Sequence, residues 1–543
     1  MKYVIALALL LYGCGHYNGE HVWYRSIGGI SNNLKHLNWG TAYAYLSRRT
    51  PNVYSDGIGQ PSGGGRPSPR EISNRLFVQE GDAPDEHGIS DWAWQWGQFL
   101  DHDISLSEPV ANDGEPFLIA IPTGDPIFDP QGKGGQWMPF VRSYHSVTGD
   151  SPQNPREQLN QVTSFIDASQ VYGSDTTRDK TIRVGGADSL DPAPFLVSSN
   201  DTNQDGEYLL PRNVFHVANC SYGVQAKENL FLSGDVRTNE VPGLITIHTI
   251  FMREHNRVAK EYVTRFPQAS NDTAFQYARK WLGGEMQVIT YTEFLPALLG
   301  DLAPGLGGQY NPELDPGLSN EFTTVLFRFG HSMIPSTLAR VDKSRRREAS
   351  IPLHDAFFEP KWVSKSSDLD LIVRGLASQV SQRIDLKVVE PLRSYLFELT
   401  QTYGLDLAAL NIQRGRDHGI PDYNTMRAAY GLPRVTEFSQ ITSNTTTQKT
   451  LKDLYGSTDN IDAWVGTLAE DHLPGASVGP LVAAGLIDAF TRLRDGDRFW
   501  FERDPVLTQS EVAELRATRL STIVKRNTGA TDLPNDLFHV IKR

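Results

Sequence analysis

Apolar side chains recur at helical spacing through most of this chain and alternate at strand spacing almost nowhere. From Ile89 to Asp103, Trp92, Trp96 and Phe99 fall at i, i+4 and i+7, the stripe of a helix buried along one side, and Pro109 lies beyond its end. Gln95, Gln98 and His102 share a different face of that helix. Pro242 suits a first helical turn, where its missing N–H costs nothing, and Leu244, Ile247, Ile250 and Phe251 carry the stripe on toward Tyr262. A third helix is expected from Thr273 to Leu299. Phe322, Val325, Leu326 and Phe329 form a short amphipathic turn ending at Gly330-His331, with Pro335 as its stop. Helical patterns recur around 366–383, 389–402, 424–430, 478–493 and 509–525.

Between these segments, 57–69 reads G-I-G-Q-P-S-G-G-G-R-P-S-P, a flexible loop by composition that wraps the surface. Residues 105–160 are rich in Pro and Gly and predict a long, mostly irregular connection, of the kind that carries function. Internal repeats and a separating linker are both missing. The expected architecture is therefore mainly α, a single large domain over 20–543 with long loops and little β.

Composition narrows the function classes. Of the 543 residues 39% are hydrophobic and 10% aromatic, as in a globular protein with a sizeable core. The net charge of −13 is spread over mixed acids and bases, with no basic stripe for a phosphate backbone, so nucleic acid is excluded as a partner. After Met1-Lys2, an apolar run from Tyr3 to Tyr12 is too short to span a bilayer and fits a secretory signal over 1–15. Export is the favoured reading. Leu11-Tyr12-Gly13-Cys14 also resembles a lipobox, whose cysteine becomes a lipidated first residue, so a lipid-anchored cell-surface protein is the alternative. Cys14 and Cys220 are the two cysteines, too few for a disulfide framework.

Five polar clusters carry candidate chemistry. In Trp96–Asp103, W-G-Q-F-L-D-H-D, a histidine sits between two carboxylates beside tryptophans, and buried charge of this kind costs several kcal/mol unless it is paired or bound. Helical neighbours at i and i+2 point about 200° apart, so Asp101 and Asp103 face away from each other, while His102 shares its face with Gln98. A core histidine satisfied by neighbouring acids is the plainer alternative. In T-S-F-I-D-A-S, Thr163, Phe165 through its carbonyl, Asp167 and Ser169 alternate as the ligands of a hard cation such as calcium do, although an ordinary Ser/Thr turn fits as well. Arg237, in D-V-R-T-N-E, suits stabilisation of developing negative charge, or a surface salt bridge with Asp235 and Glu240. Gly330 before His331 admits a flat ligand. Asn411 to Gly419, N-I-Q-R-G-R-D-H-G, is too polar for core yet follows Leu405, Leu407 and Leu410.

Taken together with R-E-H-N-R at 253–257, F-R-F-G-H at 327–331 and L-R-D-G-D-R-F-W at 493–500, these motifs resemble, in order, those of the animal-type haem peroxidases of the peroxidase-cyclooxygenase superfamily. The likeness runs from about Tyr24 to the C-terminus. It implies a haem b held between helices. His102 would be the distal histidine that moves a proton between the oxygens of hydrogen peroxide, Arg237 the cation that stabilises the departing hydroxide, and Gln98 the amide that contacts halide or water, leaving an oxidised ferryl haem. His331 would ligate the iron, with Asn411 accepting its ring N–H. Asp101 and Glu240 match carboxylates that the family esterifies to haem. Val241 in place of methionine excludes the sulfonium link of the myeloperoxidase subgroup. Asp103 would join Thr163, Phe165, Asp167 and Ser169 around Ca2+, and Arg328 and Arg414 resemble partners of the haem propionates.

The implied function is a secreted haem peroxidase that reduces hydrogen peroxide and oxidises a halide, thiocyanate or another pseudohalide, or a small organic donor such as a phenol. Two alternatives stand beside it. A fatty-acid dioxygenase on the same scaffold is disfavoured because Arg328 stands three residues before His331, where cyclooxygenases carry a radical-forming tyrosine. A calcium-stabilised surface or adhesion protein would not need the intact catalytic set. The missing disulfides point to a bacterial-type member.

Overall fold

The computed structural model describes residues 23–540 apart from 108–113, 146–147, 187–188, 190, 203–205, 222–225 and 398–403. The expected signal segment with Cys14, the stop at Pro109 and part of the 389–402 pattern lie outside the described residues. Helices dominate, as the apolar spacing predicts. The strands are three antiparallel pairs of two residues each, Ala44–Tyr45 with Leu159–Asn160, Ile119–Ala120 with Trp137–Met138, and Thr337–Leu338 with Ile351–Pro352. One contiguous apolar core runs from Leu46 to Phe538. Among the described residues, no helix is long and apolar enough to cross a membrane.

Five helices position the polar clusters. Helix α1 (Pro69–Leu76) starts with Pro at its first turn, and the Ser68 side chain caps it by accepting from Arg70 N–H. Helix α2 (Trp92–Ile104) buries Trp92, Trp96 and Phe99 completely. Helix α3 (Pro242–Arg265) follows Val241 in extended backbone. A Cβ on Gly243 would lie 2.1 Å from Oε1 of the Gln95 side chain of α2. Helix α4 (Asn271–Ile289) is capped by Ser270 and continues through a π-turn at Thr290–Phe294 into Leu295–Leu299, where the sequence reads as one unbroken helix. Helix α5 (Leu407–Asp417) is capped by Asp406 and packs against α1.

Several boundaries differ from the apolar pattern for identifiable reasons. The 366–383 segment is helical only over Ser366–Leu376, because at Gly375 the chain abuts Ala339 O, 1.8 Å from where a Cβ would sit, and Ser381 then bonds back to Ile89. The 509–525 segment is two helices, Gln509–Arg516 and Leu520–Asn527, and the second begins where Glu293 accepts from Leu520 N–H. The 57–69 loop is pinned: Ser62 is buried and bonds to Arg416 O, and Arg66 pairs with Asp462.

Candidate active site

Successive residues on a helix step by about 100°, and the end of α2 uses that step to serve three environments. Asp101 is 34% exposed, His102 is buried at 4%, and Asp103 is fully buried. Gln98, one turn before His102, donates from Nε2 to Glu240 Oε2 at 2.8 Å, and His102 Nε2 lies 3.9 Å from the same oxygen. The shared face of Gln98 and His102 therefore opens toward Glu240, as the spacing requires. On its other side His102 Nδ1 is 3.7 Å from Asp235 Oδ1. Burial, and then the charge of Arg237, hold the imidazole well below its ordinary 6.5 against the pull of Asp235, so at neutral pH it is an unprotonated base.

The loop before α3 places Arg237. Thr238 Oγ1 donates to Asp235 O, and Asn239 exchanges side-chain hydrogen bonds with the Phe231 backbone, which closes the turn. Arg237 Nε and Nη2 donate to the two oxygens of Asp235 at 2.9 and 2.8 Å, Nη2 reaches His102 O at 3.4 Å, and Nη1 is 3.6 Å from Asp101. The surface salt bridge offered as the plain alternative is thus a buried pair. Burial disfavours both charges, but each stabilises the other more, so Asp235 is held below and Arg237 above its ordinary value.

His331 comes from a tight segment in which a π-turn at Phe322–Leu326 passes into a 310 turn at Arg328–Ser332, and that turn packs against α2. A Cβ on Gly330 would meet open space. Asn411 of α5 lies 2.7 Å from His331 Nδ1 through its amide nitrogen, while its oxygen accepts from Arg328 Nη1 at 3.1 Å. Asn411 thus faces His331, and the polarity of the contact is set by the ring's tautomer. Turning the amide to offer its oxygen to His331 sets its NH2 against the Arg328 guanidinium, a meeting of two donors. Burial, and then Arg328, lower the His331 pKa to about 3. Arg414 stands apart from this pair. Its Nη1 donates to Val141 O, Ser143 Oγ and Asp417, and its guanidinium covers the Phe140 ring at 4.3 Å.

Asp103 turns away from His102 toward the 163–169 loop. Its carboxylate accepts backbone N–H groups of Asp167, Ala168 and Ser169, and Ser169 Oγ donates to its carbonyl. Thr163 Oγ1 donates to Asp167 Oδ1 at 3.1 Å. Ala168 takes the left-handed conformation, φ 64°, that folds the loop back on the helix. The Phe165 ring packs against Gly40, where a Cβ would lie 2.6 Å from the ring. Burial raises both acids, and the charge of Asp167 raises Asp103 further. Arg279, 3.5 Å from Asp167, offsets only part of that.

Sequence reading passed over His248 on α3. It is buried edge-on to Phe99, its Nδ1 is 3.0 Å from Ser233 Oγ, and burial lowers its pKa to about 3. Its place one turn past Leu244 on the inward stripe was the available signal.

Known proteins share this sequence and fold. The family model described as animal haem peroxidase matches residues 24–538. The chain is 36% identical to thyroid peroxidase of Mus musculus over 96% of its own length and 61% of that protein, so it spans less than two thirds of that relative. Peroxidase A of Dictyostelium discoideum superposes with a TM-score of 0.86 at 32% identity, covering 96% of this chain and all of that one. A fatty acid alpha-dioxygenase of Arabidopsis thaliana shares the fold, with a TM-score of 0.78 at 19% identity over 95% of this chain and 83% of that one. With the match covering nearly the whole chain and the buried histidines, arginine and amide placed as above, this protein belongs to the animal haem peroxidase family.

Proposed function

We propose that the protein is a haem peroxidase that reduces hydrogen peroxide and oxidises a halide, a pseudohalide such as thiocyanate, or a small organic donor such as a phenol. The observation that carries this reading is the packing of α2, bearing Gln98 and His102, against the turn that bears His331, with Arg237 locked beside His102. The residues fit a haem b. His331 could offer Nε2 to iron with its ring proton on Nδ1 and the Asn411 amide turned to accept it, and the space at Gly330 is open to a flat ring. Arg328 and Arg414 would hold the propionates. Asp101 and Glu240, part-exposed beside His102 and Arg237, would carry the ester links.

Bound haem supplies the redox-active iron at which peroxide is cleaved. His102, neutral and buried, takes the proton of the near peroxide oxygen on Nε2 and returns it to the far oxygen, a transfer worth about 10²–10⁴-fold when the base is held in reach. Arg237 brings a fixed positive charge to the developing hydroxide without reorganisation, because Asp235 already holds it. Gln98, anchored on Glu240, orients halide or water on the same face.

Asp103, Thr163, Phe165, Asp167 and Ser169 would bind Ca2+ through carboxylate, hydroxyl and carbonyl oxygens. Two carboxylates raised by burial, with Asp167 Oδ2 buried and lacking a hydrogen bond, fit a hard cation. Among the described residues no group of three or more His, Cys, Asp or Glu could hold a metal ion, so hydroxyl and carbonyl oxygens would have to complete this site. The apolar run before residue 15 supports export.

Haem-loaded protein should show a Soret band that shifts with hydrogen peroxide and returns on adding bromide, iodide or a phenol. Failure to take up haem, or a band indifferent to peroxide, would contradict the reading. Arg328 in place of a radical-forming tyrosine speaks against fatty-acid oxygenation.

A further inference from the structure

His102 lies between two carboxylates, and which of its nitrogens carries the proton decides whether it can act as a base toward peroxide. Nδ1 is buried, has no hydrogen-bond partner and lies 3.7 Å from Asp235 Oδ1, while Nε2 lies 3.9 Å from Glu240 Oε2. The distances are nearly equal, so charge decides. Asp235 is 2% exposed and fixed by two side-chain bonds and one backbone bond to Arg237; Arg237 offsets part of its charge, and burial leaves the rest unscreened by water at Nδ1. Glu240 is more exposed, at 18%, and Oε2 already accepts from Gln98. The stronger field is therefore on the Nδ1 side.

We propose that Asp235 is a positioning residue for the peroxidase reaction: it holds the single proton of neutral His102 on Nδ1 and so leaves the Nε2 lone pair facing Gln98 and Glu240 as the proton acceptor. One carboxylate thereby sets both distal groups, the tautomer of His102 and the place of Arg237. The inference rests on the peroxidase reading, since it concerns a base that reading requires. Esterification of Glu240 would remove the competing charge and strengthen the bias.

The test is a double-mutant cycle on haem-loaded protein, with haem content per chain measured for every variant. The readouts are the rate constant for reaction with hydrogen peroxide and, without turnover, the rate of cyanide association, since hydrogen cyanide must also give up its proton. Asp235→Asn in the wild-type background should slow both by about ten- to a hundredfold. In the His102→Gln background the same change should cost at least about threefold less than in the wild type, the remainder being the loss of the Arg237 anchor, because no tautomer remains to be set. Asp235→Glu should restore most of the loss, and Asp235→Ser takes the place of Asp235→Asn in the cycle if the asparagine variant does not fold. Equal losses in the two backgrounds would overturn the inference and assign Asp235 to holding Arg237 alone. Wild-type protein that binds haem but ignores peroxide would overturn the peroxidase reading itself, and the inference with it.

Discussion

Asp103→Asn tests the calcium loop with the least change in shape. In the folded protein Oδ2 of Asp103 accepts from Asp167 and Ala168, and Oδ1 accepts from Ser169. An asparagine keeps two of these bonds by leaving its oxygen in the Oδ2 place, and then turns its NH2 against the Ser169 N–H. One orphaned buried donor costs about 1–3 kcal/mol. Against this, removing one of two mutually repelling buried carboxylates returns part of the loss, since the charge of Asp167 raises Asp103. In EDTA the two proteins should therefore differ by no more than about 2 kcal/mol. With calcium they should separate. A ligand at a hundred times its dissociation constant adds about 2.7 kcal/mol to the state that binds it, and the wild type should gain that amount while Asp103→Asn gains almost none. Urea unfolding followed by tryptophan fluorescence, with calcium or with EDTA, reads the difference. Because calcium binds the deprotonated acids, the wild-type gain should grow with pH. A wild type indifferent to calcium, or a variant that keeps the full gain, would refute the reasoning.

Further outcomes follow from other parts of the molecule. Asp462 accepts from Arg66, Arg416 and Tyr455, and burial is outweighed by Arg416 first, so its pKa is lowered to about 2. With an unfolded value near 3.9, its stabilisation of about 2–3 kcal/mol is complete above that pH and is lost as pH falls toward 2; Asp462→Asn should flatten that limb of an acid-unfolding curve, and an unchanged limb would exclude the pair as its source. Gly243→Ala puts a methyl 2.1 Å from Gln95 Oε1 and should cost about 1–3 kcal/mol, read as a lower urea midpoint, whereas an equal midpoint would mean that the Gln95 side chain swings aside. Asp101→Asn combined with Glu240→Gln removes both ester sites, so acidified solvent should extract haem that the wild type retains, and equal retention would exclude these links. Asn411→Asp should pull harder on the His331 ring proton and lower the reduction potential of the bound iron in a spectroelectrochemical titration; a raised potential would contradict that partnership.

Helices whose apolar stripe meets a neighbour directly were legible. Trp92, Trp96 and Phe99 gave α2, and Pro242 gave the start of α3, because local spacing and burial agree there. The 200° divergence of Asp101 and Asp103 was equally readable, being a property of the helix alone. Helix α5 was obscured by its polarity: Asn411, Gln413, Arg416 and Asp417 are buried only because remote partners such as Asp462 and Arg142 meet them. Thr445–Tyr455 and Ala463–Ala469 also escaped, the first packing on α1 and the second on α5. At the site, local pattern placed Arg237 but could not tell a surface pair from a buried one, since that depends on α2 covering the loop. The direction of the Asn411 amide likewise depends on Arg328, 83 positions away in sequence.

The central claim is that His102 and Arg237, on and beside the helix that packs against the His331 turn, form a site that cleaves hydrogen peroxide. Stopped-flow absorbance on haem-loaded protein mixed with one equivalent of hydrogen peroxide tests it most directly. A fast Soret change in the wild type, slowed by about 10²–10⁴-fold in His102→Gln at equal haem content, is the predicted result. A wild type that does not react, or a His102→Gln variant that reacts as fast, would contradict the account.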